Sequence, residues 1–111
     1  MQDPSIYYLN FEVMEDRFSL LLSLKTVTGF DVFGEFGIGD DRLAAKALFD
    51  SLAGKEPLNE LGLLHIDLME KDGALPAKVM TKRCSLQELA ANCSLITREV
   101  FRQKNLKIDD E

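Results

Sequence analysis

The chain has 111 residues, 46% of them hydrophobic, and a net charge of −6, which fits one ordinary globular domain and argues against disorder. No apolar run approaches the roughly 20 residues needed to span a bilayer, and two cysteines cannot build a disulfide-dense scaffold. The acidic balance repels phosphate backbones and so argues against general nucleic-acid binding.

The start, MQDPSIYY, has neither a basic region nor an apolar signal core. It therefore predicts no secretion or import, a cytoplasmic location and reduced thiols at Cys84 and Cys93. Residues 1–5 and 105–111 read as loosely ordered ends of a single domain spanning 1–111. From Tyr7 to Met14 the odd positions Tyr7, Leu9, Phe11 and Val13 are apolar, which predicts a first strand. Glu15 and Asp16 mark a reversal. Phe18, Leu20, Leu22 and Leu24 then alternate with Ser19, Leu21, Ser23 and Lys25, giving a second strand with the clearest register in the chain. Thr28-Gly29 turns into a third strand, Phe30 to Phe36, with Phe30, Val32, Gly34 and Phe36 on the core side. Gly34 inside that strand signals a bulge or the close approach of a helix.

The pattern then changes to a helical period over about residues 41–53, with Asp40 as N-cap and Leu43, Ala44, Ala47, Leu48, Ser51 and Leu52 on one face. Gly54 ends it. After a long connection, Leu64, Ile66 and Leu68 alternate with His65, Asp67 and Met69 in a fourth strand. Asp72-Gly73 is a two-residue hairpin signal. It leads to a fifth strand with Ala77, Val79 and Thr81 inward and Lys78, Met80 and Lys82 outward, with Pro76 marking an edge. Ser85-Leu86-Gln87-Glu88 is a capping box. It opens a helix to about Lys104, with Leu86, Leu89, Ala90, Cys93, Ile96, Val100 and Phe101 on its apolar side and a break conceivable at Asn92–Ser94. The order β-β-β-α-β-β-α predicts an α+β two-layer sandwich, a five-stranded, mainly antiparallel sheet with two helices on one face.

Four features invite a chemical reading. Gly34, Gly37 and Gly39 lie between a strand and a helix, as in a phosphate-binding turn, but the spacing matches no dinucleotide or P-loop fingerprint. Asp40 and Asp41 would also repel a phosphate there, so the cluster reads as a turn that needs positive φ. His65 and Asp67 share a strand face, and with Ser19 or Ser23 as nucleophile they would form a small active site or ligand site. Cys84 and Cys93, nine apart with one histidine in the chain, do not make a metal site. Charge is split: residues 1–70 carry 13 acids against 5 bases, and residues 71–107 carry 3 acids against 8 bases. The bases Lys78, Lys82, Arg83, Arg98, Arg102, Lys104 and Lys107 lack the interleaved aromatics of a nucleic-acid groove.

What remains is the sheet face away from the helices. There Tyr8, Leu21, Phe33, Met69 and Met80 are expected among polar neighbours that include His65 and Asp67. An apolar patch of that kind suits protein contact. The expectation is a non-catalytic, cytoplasmic binding or adaptor module, self-associating or bound to a protein partner, without cofactor, metal, nucleic acid or membrane. The alternatives are the His65/Asp67 site, as enzyme or ligand-binding domain, and an acidic inhibitor or immunity-type protein using the carboxylates of residues 12–50. In element order the chain resembles part of the secretion-chaperone-like fold, whose small acidic members run α-β-β-β-α-β-β-α and commonly dimerise. Residues 1–5 are too short for its leading helix. The resemblance implies protein–protein binding and supplies no site residues.

Overall fold

The computed structural model describes residues 16–56, 63–73 and 75–104. They form four strands and two helices: β1 (Phe18–Thr26), β2 (Gly29–Gly37), α1 (Arg42–Ser51), β3 (Leu64–Lys71), β4 (Pro76–Cys84) and α2 (Leu86–Gln103). The strands make one sheet in the order β2-β1-β3-β4 with every pairing antiparallel. The chain is therefore α+β, with four strands among the described residues in place of the expected five. The expected first strand, Tyr7–Val13, lies outside those residues.

β1 follows its alternation from Phe18 to Leu22, while Leu24, expected inside, is 39% exposed and Ser23, on the other face, is buried. Phe18, Leu20 and Leu22 are buried on the side that both helices cover, with Ile66 and Leu68 of β3 beside them. Fully burying a side chain of this size contributes about 1.5–3 kcal/mol, so this row is the main adhesive between the layers. The neighbouring strands depart from simple alternation because each contains a bulge. In β2, Leu22 faces Gly34 while Ser23 faces Val32, so Phe33 is the extra residue. One inserted residue inverts the facing of everything beyond it. Phe36 stays against the core, whereas Phe30 and Val32, expected inside, pair with Lys25 and Ser23 on the opposite face. Gly34 accordingly marks the bulge. A Cβ there would meet Leu22 Cδ1 of the adjacent strand at 3.2 Å, so the close neighbour is β1 and not a helix.

In β4, Leu68 faces Met80 while Met69 faces Lys78, so Val79 is the extra residue. Met80 and Lys82, expected outward, lie on the helix-covered side, and Thr81, expected inward, faces away from it. Lys82 is stable there because its ammonium caps α1. Nζ donates to the carbonyls of Phe49 at 2.7 Å and Leu52 at 2.9 Å, and sits 4.8 Å from the centre of the Phe49 ring. A cation at the carboxyl end of a helix satisfies orphan carbonyls and complements the dipole. The β3–β4 connection runs over residues 72–75, since Lys71 pairs with Pro76, and is longer than the two-residue turn expected at Asp72-Gly73.

α1 begins one residue later than expected. Asp41 is the N-cap, accepting from the amides of Leu43 at 2.9 Å and Ala44 at 3.3 Å, while Asp40 instead accepts from the Arg17 amide. Its buried stripe is Ala45, Leu48, Phe49 and Leu52, the i, i+3, i+4, i+7 set. Leu43, expected on that stripe, is 80% exposed. Gly54 follows at φ +146°, where a Cβ would meet the Arg83 carbonyl at 2.8 Å, so glycine is needed for both backbone angle and space. At the other end of α1, Glu70 gathers Arg17 at 2.6 Å and Arg42 at 2.7 Å, and both guanidiniums stack on the Phe18 ring.

α2 opens with the expected capping box, in which the Glu88 amide donates to Ser85 Oγ and the Ser85 amide donates to Glu88 Oε1. It runs unbroken through Asn92–Ser94. Asn92 is buried and useful rather than disruptive. Its amide nitrogen donates to the Ala53 carbonyl and its oxygen accepts from the Ala53 amide, both at 2.8 Å. Leu86, expected on the apolar side, is exposed; Leu89 and Ile96 are buried.

Candidate functional site

The sheet face opposite the helices is built in cross-strand rows. Val32, Ser23, His65 and Arg83 form one row, and Glu35, Leu21, Asp67 and Thr81 the next. β3 is an inner strand with β1 and β4 on either side, and it is buried on both faces. His65 is only 5% exposed and Asp67 only 9%, although both belong to the face expected to be wet. The Phe30 ring, turned to this face by the β2 bulge, meets the His65 ring edge-on at 5.0 Å between centroids.

Asp67 is engaged by its own neighbours. The Thr81 hydroxyl donates to Oδ1, and Lys78 Nζ lies 3.6 Å from Oδ2. Ser23 stands directly across β1 from His65 and is also buried. The register thus brings a serine, a histidine and an aspartate onto one face. The Asp67 carboxylate, however, is oriented by Thr81 and Lys78, and all three residues are buried. General-base chemistry needs an oriented histidine within reach of substrate, and this packing favours a structural role.

The other residues of the expected contact face divide. Leu21 and Met69 are half-buried on it, and Phe33 is 49% exposed in β2. Met80 is displaced to the core side, and Tyr8 lies outside the described residues. Phe30 at 43% and Val32 at 59% exposure join Phe33, so three large apolar side chains are exposed within four residues of β2. The alternation of Phe30, Val32 and Phe36 hid this, since a bulge leaves no mark on a period-two pattern. The glycine at position 34 was the available signal.

Among the described residues β2 is an edge strand. Its charged residues are Asp31 and Glu35, both exposed, and neither forms an ion pair within the described residues. The opposite edge, β4, carries Lys78, Lys82 and Arg83. It is blunted by Pro76, by the bulge at Val79, and by a backbone bridge in which Lys55 and Arg83 exchange hydrogen bonds of 3.0 and 2.8 Å. The sheet is therefore acidic and apolar at one edge, basic and protected at the other. Three of the basic residues are engaged within the described residues: Lys82 is spent on α1, Lys78 faces Asp67, and Arg102 pairs with Glu99.

Burial raises the pKa of two groups. Burial pushes the Cys84 thiol up, and Glu88 adds to the effect; a protonated buried thiol behaves as a small hydrophobe. Burial likewise raises the Asp16 carboxyl, with Lys104 opposing the shift and Asp40 adding to it. Both cysteines are free. Among the described residues no helix is long and apolar enough to cross a membrane. Compared with protein-family models, curated proteins and solved structures, the chain matches none.

Proposed function

We propose that this chain is a non-catalytic protein-binding module of the cytoplasm whose contact surface centres on β2. The observation that carries this reading is the exposure of Phe30, Val32 and Phe33 on a strand that is at the sheet edge among the described residues. Aromatic and branched apolar groups are the usual anchors of protein contacts. Leu21 and Met69, half-buried on the adjoining face, extend the apolar area toward the middle of the sheet. The alternative centred on His65 and Asp67 has less support, since both side chains are packed away and Asp67 is already hydrogen-bonded.

The test is affinity capture from native lysate with the wild-type chain and with a Val32→Lys/Phe33→Lys variant, after far-UV circular dichroism and thermal melts show matched folding. Light scattering on the purified chain reports self-association in parallel. The expected result is a partner, or a second copy, retained by wild type and lost by the variant. A monomer whose captured proteins are the same for both chains would overturn the reading.

A further inference from the structure

We propose that β2 binds its partner by strand addition, taking an extended segment in which basic and apolar residues alternate; this rests on the reading of β2 as the contact surface. An edge strand presents a row of backbone donors and acceptors, and a partner in extended conformation can complete that row. The two edges of this sheet differ in availability. β4 is closed to such pairing by Pro76, by its bulge and by the Lys55–Arg83 bridge. β2 offers nine residues, Gly29–Gly37, interrupted only by the bulge at Phe33. That bulge divides the edge into two short runs, 29–32 and 34–37, which suits a short segment better than a long strand.

Side-chain chemistry sets the kind of segment. Phe30, Val32 and Phe33 supply apolar surface for alternate residues of an added strand. Asp31 and Glu35 supply two exposed carboxylates with no base on β2 and no ion pair within the described residues. Charge also argues against a second copy as occupant. A two-fold β2–β2 pair would bring four carboxylates, two from each copy, to one seam with no base on either strand. Like charges directly opposite are destabilising, and opposite charges stabilise. The Phe33 bulge sets Asp31 on the side of Leu24 and Glu35 on the side of Leu21, so an added strand with its apolar residues beside Phe30 and Val32 brings its lysines or arginines to Asp31.

The test uses the full chain and three end-blocked, fluorescently labelled peptides of about eight residues, matched to one edge strand. One alternates lysine and valine, one alternates glutamate and valine, and the third is the lysine–valine peptide with alternate backbone nitrogens methylated. Anisotropy gives affinity, and amide shifts in ¹⁵N spectra give location. The lysine–valine peptide is expected to bind with shifts concentrated at Gly29–Gly37, and the glutamate–valine peptide about tenfold more weakly or not at all. N-methylation removes donors that an added strand needs and abolishes binding. An Asp31→Asn/Glu35→Gln variant loses the discrimination between lysine and glutamate. Strand addition is overturned if the lysine–valine peptide does not bind, if glutamate–valine binds equally, if the methylated peptide binds equally, or if the shifts lie elsewhere. In each of these cases, capture that is still lost in the Val32→Lys/Phe33→Lys variant leaves β2 as an apolar contact surface. Capture that is unchanged removes both readings.

Discussion

The hydrogen-bonded clamp between Asn92 and Ala53 ties α2 to the chain just beyond α1, and its removal has a calculable cost. Asn92 is 2% exposed and meets both backbone groups of Ala53 at 2.8 Å. Asn92→Ala leaves one donor and one acceptor without partners. An unsatisfied buried polar group costs about 1–3 kcal/mol. Ala53 is itself exposed, so water reaches it and the low end applies to each group. Together with the lost packing, the expected destabilisation is about 2–3 kcal/mol, or roughly 8–12 °C in Tm for a chain of this size. Asn92→Asp adds a check with a sign. The acid can satisfy both Ala53 groups only when protonated, so its folded-state pKa lies above the unfolded value of about 3.9. The stability linked to that proton is present below the unfolded value and lost as pH rises through the folded pKa. The deficit of Asn92→Asp relative to wild type is therefore smaller at pH 4 than at pH 7. Urea denaturation at both pH values measures it. An Asn92→Ala chain within about 0.5 kcal/mol of wild type, or an Asn92→Asp deficit independent of pH, refutes the clamp.

Lys82→Met removes a charged donor from two α1 carbonyls and is expected to cost about 2–3 kcal/mol, whereas Lys78→Met, at an exposed ammonium 3.6 Å from Asp67, costs at most about 1 kcal/mol; equal denaturation midpoints for the two variants would contradict the inward placement of Lys82. Asp16→Asn relieves a carboxyl whose pKa burial has raised. A raised pKa means stability that is present below the unfolded value and lost as pH rises, so the variant should gain on wild type at pH 7 and lose that gain toward pH 3. Thermal melts across that range check the trend, and a gain at pH 3 equal to that at pH 7 would refute it.

Legibility in the sequence followed locality. The β1 register, the Ser85–Glu88 capping box and the extent of α2 depend on neighbours a few residues apart, and each is where the residues place it. The inversions at Phe30, Val32, Met80, Lys82 and Thr81 come from two inserted residues, Phe33 and Val79. A bulge is specified by how two strands meet, and a single strand's pattern does not reveal it. The burial of His65 and Asp67 has another origin. Their alternation marks one polar face correctly, but strand order makes β3 an inner strand and brings Phe30 over the histidine. Strand order is a tertiary fact. The candidate surface was half legible for the same reason: Phe33 was expected outward and is exposed, whereas Phe30 and Val32 were assigned to the wrong face of the same strand.

The measurement that bears most directly on β2 as the contact surface is site-specific photo-crosslinking in living cells. Phe33 is replaced by p-benzoylphenylalanine, with the same replacement at Leu43 and Leu86, which are exposed apolar residues on α1 and α2, as controls. The expected result is a discrete crosslinked partner from position 33 and none of it from 43 or 86. Crosslinks of equal strength from all three positions, or from the helices alone, would contradict the assignment.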